Sequence, residues 1–161
     1  MGRVTNVVVA GLGGQGVIKA SDILADAAHR AGHDVKKAEI HGMSQRGGSV
    51  TSDVRYGEKV LSPMVTRGEA DFLLVLAPDQ VEVNRPILGP AGLCIGPGSV
   101  DEGALPNRKS LNVALLGALA HHLDIPEECW AAAIREALPE RLHDVNFKAF
   151  RMGRDAAARA R

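Results

Sequence analysis

A run of glycines near the start of the chain has the spacing of a phosphate-binding loop. Gly11-Leu12-Gly13-Gly14-Gln15-Gly16 fits the pattern G-x-G-x-x-G and lies between an apolar run and a helical pattern. Glycines at such a turn let backbone N–H groups approach an anion at the start of a helix. We therefore predict that Gly11, Gly13, Gly14, Gln15 and Gly16 bind an anionic ligand or cofactor. The alternative interpretation is a strand-to-helix turn that needs glycines only for close packing.

An acidic residue follows at the end of the next predicted strand. In dinucleotide-binding folds an acid at this place binds the ribose of the cofactor, and Glu39 lies near that position. One hypothesis is therefore a stand-alone oxidoreductase that binds NAD or FAD through Gly11–Gly16 and Glu39. The segment after Glu39 does not continue as the helix that such a fold requires.

The most unusual segment of the chain is His41-Gly42-Met43-Ser44-Gln45-Arg46-Gly47-Gly48, which is neither periodic nor apolar. Paired glycines after an arginine indicate close approach of the backbone to another surface, and a guanidinium group binds carboxylates or phosphates through two hydrogen bonds. We predict that this loop contacts a ligand or a partner subunit, through His41, Met43, Ser44, Gln45, Arg46, Gly47 and Gly48. The alternative is a plain surface loop whose glycines serve only to turn the chain.

Catalytic and metal-ligating groups do not stand out in the sequence. Cys94 and Cys129 lie far apart on apolar patterns, so they are expected to be unreactive core thiols, and two cysteines exclude a zinc or iron–sulfur centre held by four thiolates of this chain. His121 and His122 are adjacent, so on a helix they point about 100° apart and do not share a metal. We predict no catalytic residue and no metal site in this chain.

The charge balance excludes some classes of function. The chain has 161 residues with 19 basic and 19 acidic side chains, which argues against nucleic-acid binding led by charge and against a polybasic membrane-surface protein. No apolar run approaches the roughly 18 residues of a membrane helix, and no signal peptide is recognisable. We expect a cytoplasmic protein that binds neither nucleic acid nor membrane.

Strands and helices alternate in the hydrophobic pattern. The spacing predicts strands at 4–10, 34–39, 70–76 and 93–95, and helices at 17–31, 112–123, 126–138 and 146–159. Val50, Val54 and Val60-Leu61 flank Tyr56-Gly57-Glu58-Lys59, which predicts a β-hairpin. Residues 1–161 are therefore expected to form a single three-layer, Rossmann-like α/β domain. Its sheet is mostly parallel, with helices on both faces and an inserted β-hairpin.

Ordered motifs along nearly the whole chain resemble one enzyme family. They are the glycine loop, Ala38–Val50, Arg55, Ser62-Pro63, Gly68–Asp71, Asn112 with Leu116–Ala118, and Val145-Asn146 with Lys148–Phe150 and Gly153. Together they are similar to the gamma-type subunit of the 2-oxoacid:ferredoxin oxidoreductases, and most of all to the small (beta) subunit of the indolepyruvate branch. The long segment from His41 to Val50 is the specific part of this resemblance.

The resemblance implies a divided enzyme. Such enzymes convert a 2-oxoacid and coenzyme A to acyl-CoA and carbon dioxide and pass electrons to ferredoxin. It implies that thiamine diphosphate, Mg and 4Fe-4S clusters lie in a larger (alpha) partner subunit. This chain would bind no cofactor by itself, would be inactive alone, and would complete the active site from one side. The glycine loop would then face coenzyme A and thiamine diphosphate, with the His41–Gly48 loop at the interface and Asn112 as a further contact.

Three matters stay open at this stage. The substrate would be an arylpyruvate such as indolepyruvate or phenylpyruvate, with phenylglyoxylate as another aryl oxoacid. Homodimerisation of the isolated chain is not decided by the sequence, and neither is a non-enzymatic role as a protein-binding module. The chain is also short for this subunit type, which we interpret as a missing C-terminal tail.

Overall fold

Strands and helices alternate along the chain much as the hydrophobic pattern predicts. The structure is a computed structural model that describes residues 2–41 and 48–160. Over those two ranges the strands are β1 (Val4–Leu12), β2 (Asp34–His41), β3 (Ser49–Gly57), β4 (Ala70–Val75) and β5 (Leu88–Ile95). The helices are α1 (Val17–Arg30), the short α2 (Val81–Asn84), α3 (Leu111–Ala120), α4 (Glu127–Ala137) and α5 (His143–Arg159). None of these helices has the length and apolar content that a membrane crossing requires.

The strands form one mixed sheet in the order β2-β3-β1-β4-β5. β1 pairs in parallel with β4, and β4 pairs in parallel with β5. β3 lies antiparallel to both of its neighbours, β1 and β2. In the part of the chain that the structure describes, four strands therefore run in one direction and β3 alone runs against them, which confirms the prediction of a mostly parallel sheet.

The predicted hairpin exists, but at a different place in the chain. The antiparallel pair is β2 with β3, joined by residues 42–48, whereas Val60 and Leu61 form no strand. Gly57 pairs with Val4 on one side and with Asp34 on the other. Because both edges of β3 are already occupied, no edge remains for a strand at residues 60–61. The N–H of Val60 instead donates to the Asp34 carboxylate at 2.8 Å.

Both faces of the sheet are covered, but unequally. Helices α1 and α3 pack on the face that carries Val7, Val9 and Leu74, and α4 and α5 pack against their outer sides. The opposite face carries Val8, Ala10, Leu73 and Val75 and is covered by Val65 and by the region of α2. The long helices therefore all lie on one side of the sheet.

Helix α3 is buried around its whole circumference rather than on one face. The sequence predicts a helix at 112–123 with one inward face, formed by Val113, Leu116, Ala120 and Leu123. In the structure nine of the ten residues of α3 are buried, because α5 covers the other side. The two helices meet at Gly117 and Gly153. A Cβ atom on Gly117 would lie 2.8 Å from the carbonyl carbon of Phe150. This close approach fixes α3, whose first turn lies at the site described next.

Candidate functional site

The glycine loop lies at the carboxyl edge of the sheet. Residues Gly13–Gly16 connect β1 to α1, and β2 and β4 end at the same edge because they run parallel to β1. Ligands of open α/β sheets bind in crevices at this edge. The predicted loop is therefore correctly placed between a strand and a helix.

The structure brings the glycine loop together with both described ends of the His41–Gly48 segment. The N–H of Gly13 donates to the carbonyl oxygen of Gly48 at 2.9 Å. His41 and Val50, which pair across β2 and β3, line a cleft of about 250 Å³ together with Leu12, Gly13, Gly14, Gly16, Val17, Ile18 and Lys19. The other predicted contact residues of this segment, Met43, Ser44, Gln45, Arg46 and Gly47, lie outside the described residues.

Two of the residues predicted to bind a ligand, Gln15 and Gly11, instead stabilise the loop and its packing against β1 and β4. The side-chain carbonyl of Gln15 accepts the N–H of Leu12 at 2.8 Å, and its amide group donates to the carbonyl oxygen of Leu76 at 3.4 Å. This side chain therefore ties the loop to the end of β4. Gly11 is buried within β1, where a Cβ atom would lie 2.8 Å from a methyl group of Val17. Close packing of α1 on β1 accounts for a glycine at this position.

Gly14 and Gly16 have left-handed backbone conformations, both with φ of 87°. Glycine adopts this conformation without the steric cost that a Cβ atom brings. Gly14 faces open space, with no atom within 4 Å of a Cβ built there. Gly16 lies against Asn112, whose side-chain Cγ would be 3.2 Å from such a Cβ.

A larger cleft of about 530 Å³ opens beside the loop. Gly14, Gln15 and Gly16 line it together with Asn112, which the sequence predicts as a further contact, and so do Lys19, Arg108, Lys109, Leu76 and Leu111. Among the described residues, no carboxylate lines this cleft. The N-termini of α1 and α3 also meet here, and each carries partial positive charge. The cleft therefore suits a ligand with several negative charges.

Sequence reasoning missed the three basic side chains that line this cleft among the described residues. Lys19 lies in the first turn of α1, and Arg108 and Lys109 form the turn just before α3. Basic residues close to a glycine loop or to the start of a helix can indicate an anion-binding site in a sequence, because side chains at both positions can face an anion bound at helix N-termini. The link between the two regions, however, depends on residues more than 85 positions apart in the chain.

The sheet order does not place Glu39 where a dinucleotide-binding fold needs its acid. Such folds place the second strand directly beside the first, whereas here β3 lies between β1 and β2. One interposed strand moves Glu39 away from the glycine loop by about 5 Å. Its carboxylate instead pairs with the Nζ atom of Lys37, which also pairs with Asp22 at 2.6 Å.

Reactive side chains are not concentrated elsewhere in the described ranges. Burial raises the pKa of the Cys94 thiol, which disfavours the reactive thiolate, and Cys129 is half-buried on α4. In residues 2–41 and 48–160, no group of three His, Cys, Asp or Glu side chains is placed to hold a metal ion. These residues therefore do not fit an iron–sulfur cluster.

The comparison with known families agrees with the motif pattern. The family model described as pyruvate ferredoxin/flavodoxin oxidoreductase matches residues 6–108 and 98–156. The chain belongs to this family. It is 36% identical over 192 aligned residues to the indolepyruvate oxidoreductase subunit IorB of Methanothermobacter thermautotrophicus, and the alignment covers 95% of this chain and 97% of the relative.

Solved structures confirm the fold. A 2-oxoglutarate:ferredoxin oxidoreductase from Magnetococcus marinus, determined with 2-oxoglutarate, coenzyme A and succinyl-CoA bound, matches 99% of this chain with a TM-score of 0.85 at 20% identity. This chain corresponds to 32% of that longer chain. The gamma subunit of a keto/oxoacid ferredoxin oxidoreductase from Geobacter sulfurreducens matches 97% of both chains with a TM-score of 0.77 at 22% identity.

The difference in length from the relatives lies inside the chain. The alignment with the Methanothermobacter subunit is longer than this chain of 161 residues, so the relative carries inserted residues within the aligned region. The two family segments overlap at 98–108, in the connection from β5 to α3. The shorter length of this chain relative to that subunit therefore comes from residues absent within the aligned region.

Proposed function

We propose that this chain is the small subunit of an aryl 2-oxoacid:ferredoxin oxidoreductase with indolepyruvate as its substrate. The observation that carries the proposal is the match, along nearly the full length of both chains, to a protein named indolepyruvate oxidoreductase subunit IorB. The enzyme converts the 2-oxoacid and coenzyme A to acyl-CoA and carbon dioxide. Thiamine diphosphate with Mg in a large alpha subunit supplies the decarboxylation chemistry, and 4Fe-4S clusters there carry electrons to ferredoxin.

The role of this chain is to bind and orient coenzyme A and to close the site. Coenzyme A carries several phosphate groups, and the cleft of about 530 Å³ presents Lys19, Arg108 and Lys109 beside two helix N-termini. Charge-assisted hydrogen bonds to phosphate are stronger than neutral ones. In this proposal the exposed backbone of Gly13 and Gly14 lies against the ligand, and the His41–Gly48 loop lies against the partner subunit.

The subunit assignment is tested by reconstitution. The chain is co-expressed with the large subunit, and the complex is assayed with coenzyme A, a dye acceptor and, in turn, indolepyruvate, phenylpyruvate and phenylglyoxylate. We expect dye reduction by the complex, fastest with indolepyruvate, and none by this chain alone. A complex that forms but oxidises no oxoacid would support the non-enzymatic binding module instead.

The coenzyme A cleft is tested by charge removal in the same complex. Arg108→Ala/Lys109→Ala should raise the KM for coenzyme A about tenfold or more, because losing about 1.4 kcal/mol of binding free energy has this effect. The KM for the 2-oxoacid should stay unchanged. The matched control is Lys148→Ala/Arg151→Ala, which removes two exposed cations from α5. Equal effects of the two double variants would refute a specific site at the cleft.

The competing dinucleotide hypothesis has its own test. Because β3 separates Glu39 from the glycine loop, titration of the isolated chain with NAD or FAD should give no binding heat in calorimetry. Saturable binding of either cofactor would favour the stand-alone oxidoreductase.

A further inference from the structure

We infer that Asn112 is a positioning residue that holds the glycine loop, through Gly16, in the shape that faces the cleft. The inference rests on the proposed function for the identity of the ligand, coenzyme A. The sequence predicts that Asn112 contacts the ligand directly, whereas here Asn112 holds the glycine loop, and the loop contacts the ligand.

The side-chain amide of Asn112 is engaged with the backbone at both of its polar atoms. Nδ2 donates to the carbonyl oxygen of Gly16 at 3.3 Å, and Oδ1 accepts the N–H of Val113 at 2.9 Å. The residue is only 8% exposed although it lines the cleft. Its amide therefore connects the first turn of α3 to the last residue of the glycine loop.

Gly16 is the position where such a support has the greatest effect. It is the residue before α1, and its carbonyl oxygen also accepts the N–H of Ala20 at 2.9 Å, the first bond of that helix. Glycine occupies left- and right-handed conformations about equally well, so Gly16 does not fix its own φ of 87°. A hydrogen bond from outside the loop supplies that restraint, and it sets the direction of the N–H groups that follow in α1.

Asn112 is itself held rigidly. Helix α3 is buried on all sides, and its backbone touches α5 at Gly117 and Gly153. At the other end of the loop, Gln15 bonds to Leu12 and Leu76. Two side-chain amides thus anchor the loop at its ends and leave Gly13 and Gly14 exposed between them.

The test compares three variants. Asn112→Ala removes the whole amide. Asn112→Asp keeps the shape and the acceptor for Val113 but cannot donate to Gly16. Asn146→Ala is the matched control, because Asn146 is equally buried at 7% and also donates to a backbone carbonyl, that of Leu142 at 2.8 Å, which is not part of the glycine loop.

The first measurement is amide hydrogen exchange of Gly13, Gln15 and Ala20, whose N–H groups are hydrogen-bonded in and beside the loop, by NMR in the full chain without partner or ligand. We expect exchange in both Asn112 variants to be about fivefold faster or more, which is the effect of losing one hydrogen bond. In Asn146→Ala the exchange of these amides should equal that of the wild type. Unchanged exchange in the Asn112 variants, or equal acceleration in Asn146→Ala, would overturn the inference.

The second measurement separates positioning from general destabilisation in the reconstituted complex. Asn112→Ala should raise the KM for coenzyme A about fivefold while kcat and the KM for the oxoacid stay near wild type, and Asn146→Ala should change none of them. A raised KM without faster exchange would show direct ligand contact and would overturn the positioning role. If the wild-type complex oxidises no oxoacid, the proposed function fails, and the exchange data alone decide the role of Asn112.

Discussion

Replacing Gly117 by alanine should force helices α3 and α5 apart and strongly destabilise the chain. The added Cβ atom would lie 2.8 Å from the carbonyl carbon of Phe150 and 3.1 Å from the backbone nitrogen of Arg154. Both atoms belong to helical backbone, so no side-chain rotation can relieve the contact. The helices themselves must move.

The size of the effect follows from the contact distances. Carbon atoms in contact lie about 3.5–4.0 Å apart, and the carbonyl oxygen of Phe150 lies nearer still to the added Cβ, so the helix axes must separate locally by at least about 1 Å. Overpacking of a core typically costs about 1–3 kcal/mol, and a contact with backbone belongs at the upper end of that range. A loss of about 3 kcal/mol in a chain of this length lowers Tm by about 6–12 °C.

The assay is thermal and urea denaturation of the isolated chain, followed by fluorescence. The chain has a single tryptophan, Trp130, whose ring lies 5.4 Å from that of Phe150, so its emission reports on this region. The matched control is Gly98→Ala, because a Cβ atom at Gly98 meets no atom within 4 Å and its φ is not left-handed. We expect the control to change Tm by less than about 2 °C.

A double variant sharpens the test. Gly153 faces the same contact from α5, where a Cβ atom would lie 2.7 Å from the carbonyl carbon of Ala114. Because the first substitution already separates the helices, Gly117→Ala/Gly153→Ala should cost clearly less than the sum of the two single variants. Additive losses, or a Gly117→Ala variant as stable as Gly98→Ala, would refute the reasoning.

Three further predictions concern buried polar groups. The hydroxyl of Ser52 is buried without a hydrogen-bond partner in the described structure, so Ser52→Ala should leave the free energy of unfolding in urea unchanged or raise it by up to about 1 kcal/mol. Ser110→Ala is the contrasting variant: it removes the hydrogen bond to the carbonyl oxygen of Asn107 and should lower the free energy of unfolding by about 1 kcal/mol. Burial raises the pKa of Tyr56, the only tyrosine, from 10.0 to about 12, so stability should fall as pH rises between these values, and tyrosinate absorbance should stay low until that range is passed. Burial also raises the pKa of Asp53 above 3.8, so this carboxyl group holds its proton more tightly in the folded state than in the unfolded state. The free energy of unfolding should therefore fall as pH rises from 3.8 through the raised pKa. Asp53→Asn should remove that fall, measured by urea unfolding at a series of pH values.

Most of the elements follow from local pattern, and the exceptions have identifiable causes. β1, α1 and α4 have clear apolar periods and boundaries marked by Gly or Pro, so the sequence predicts them well. The hairpin was misplaced because Tyr56-Gly57-Glu58-Lys59 has turn composition, and local composition cannot reveal that both edges of β3 are occupied. Pairing between strands is decided by the whole sheet.

The sequence predicts the two loops of the candidate site but not the basic side chains that line its cleft. The glycine loop and the His41–Gly48 segment stand out by composition, and the structure joins them at Gly13 and Gly48. Lys19 and the Arg108-Lys109 pair are ordinary surface residues in sequence, and only the packing of α3 beside α1 brings them to one cleft. The bond from Asn112 to Gly16 depends on the same packing.

The reversed direction of β3 makes the segment between β2 and β3 an exchangeable unit. Its two ends, His41 and Val50, are cross-strand partners, and such partners lie about 5 Å apart whatever joins them. A β3 strand parallel to β2 would need a crossover connection, usually a helix packed on the sheet, so a change in that connection would also disturb the packing of the helix layer. The connection between antiparallel β2 and β3 can instead change in sequence or length without altering the strand order, as long as Gly48 still accepts the N–H of Gly13.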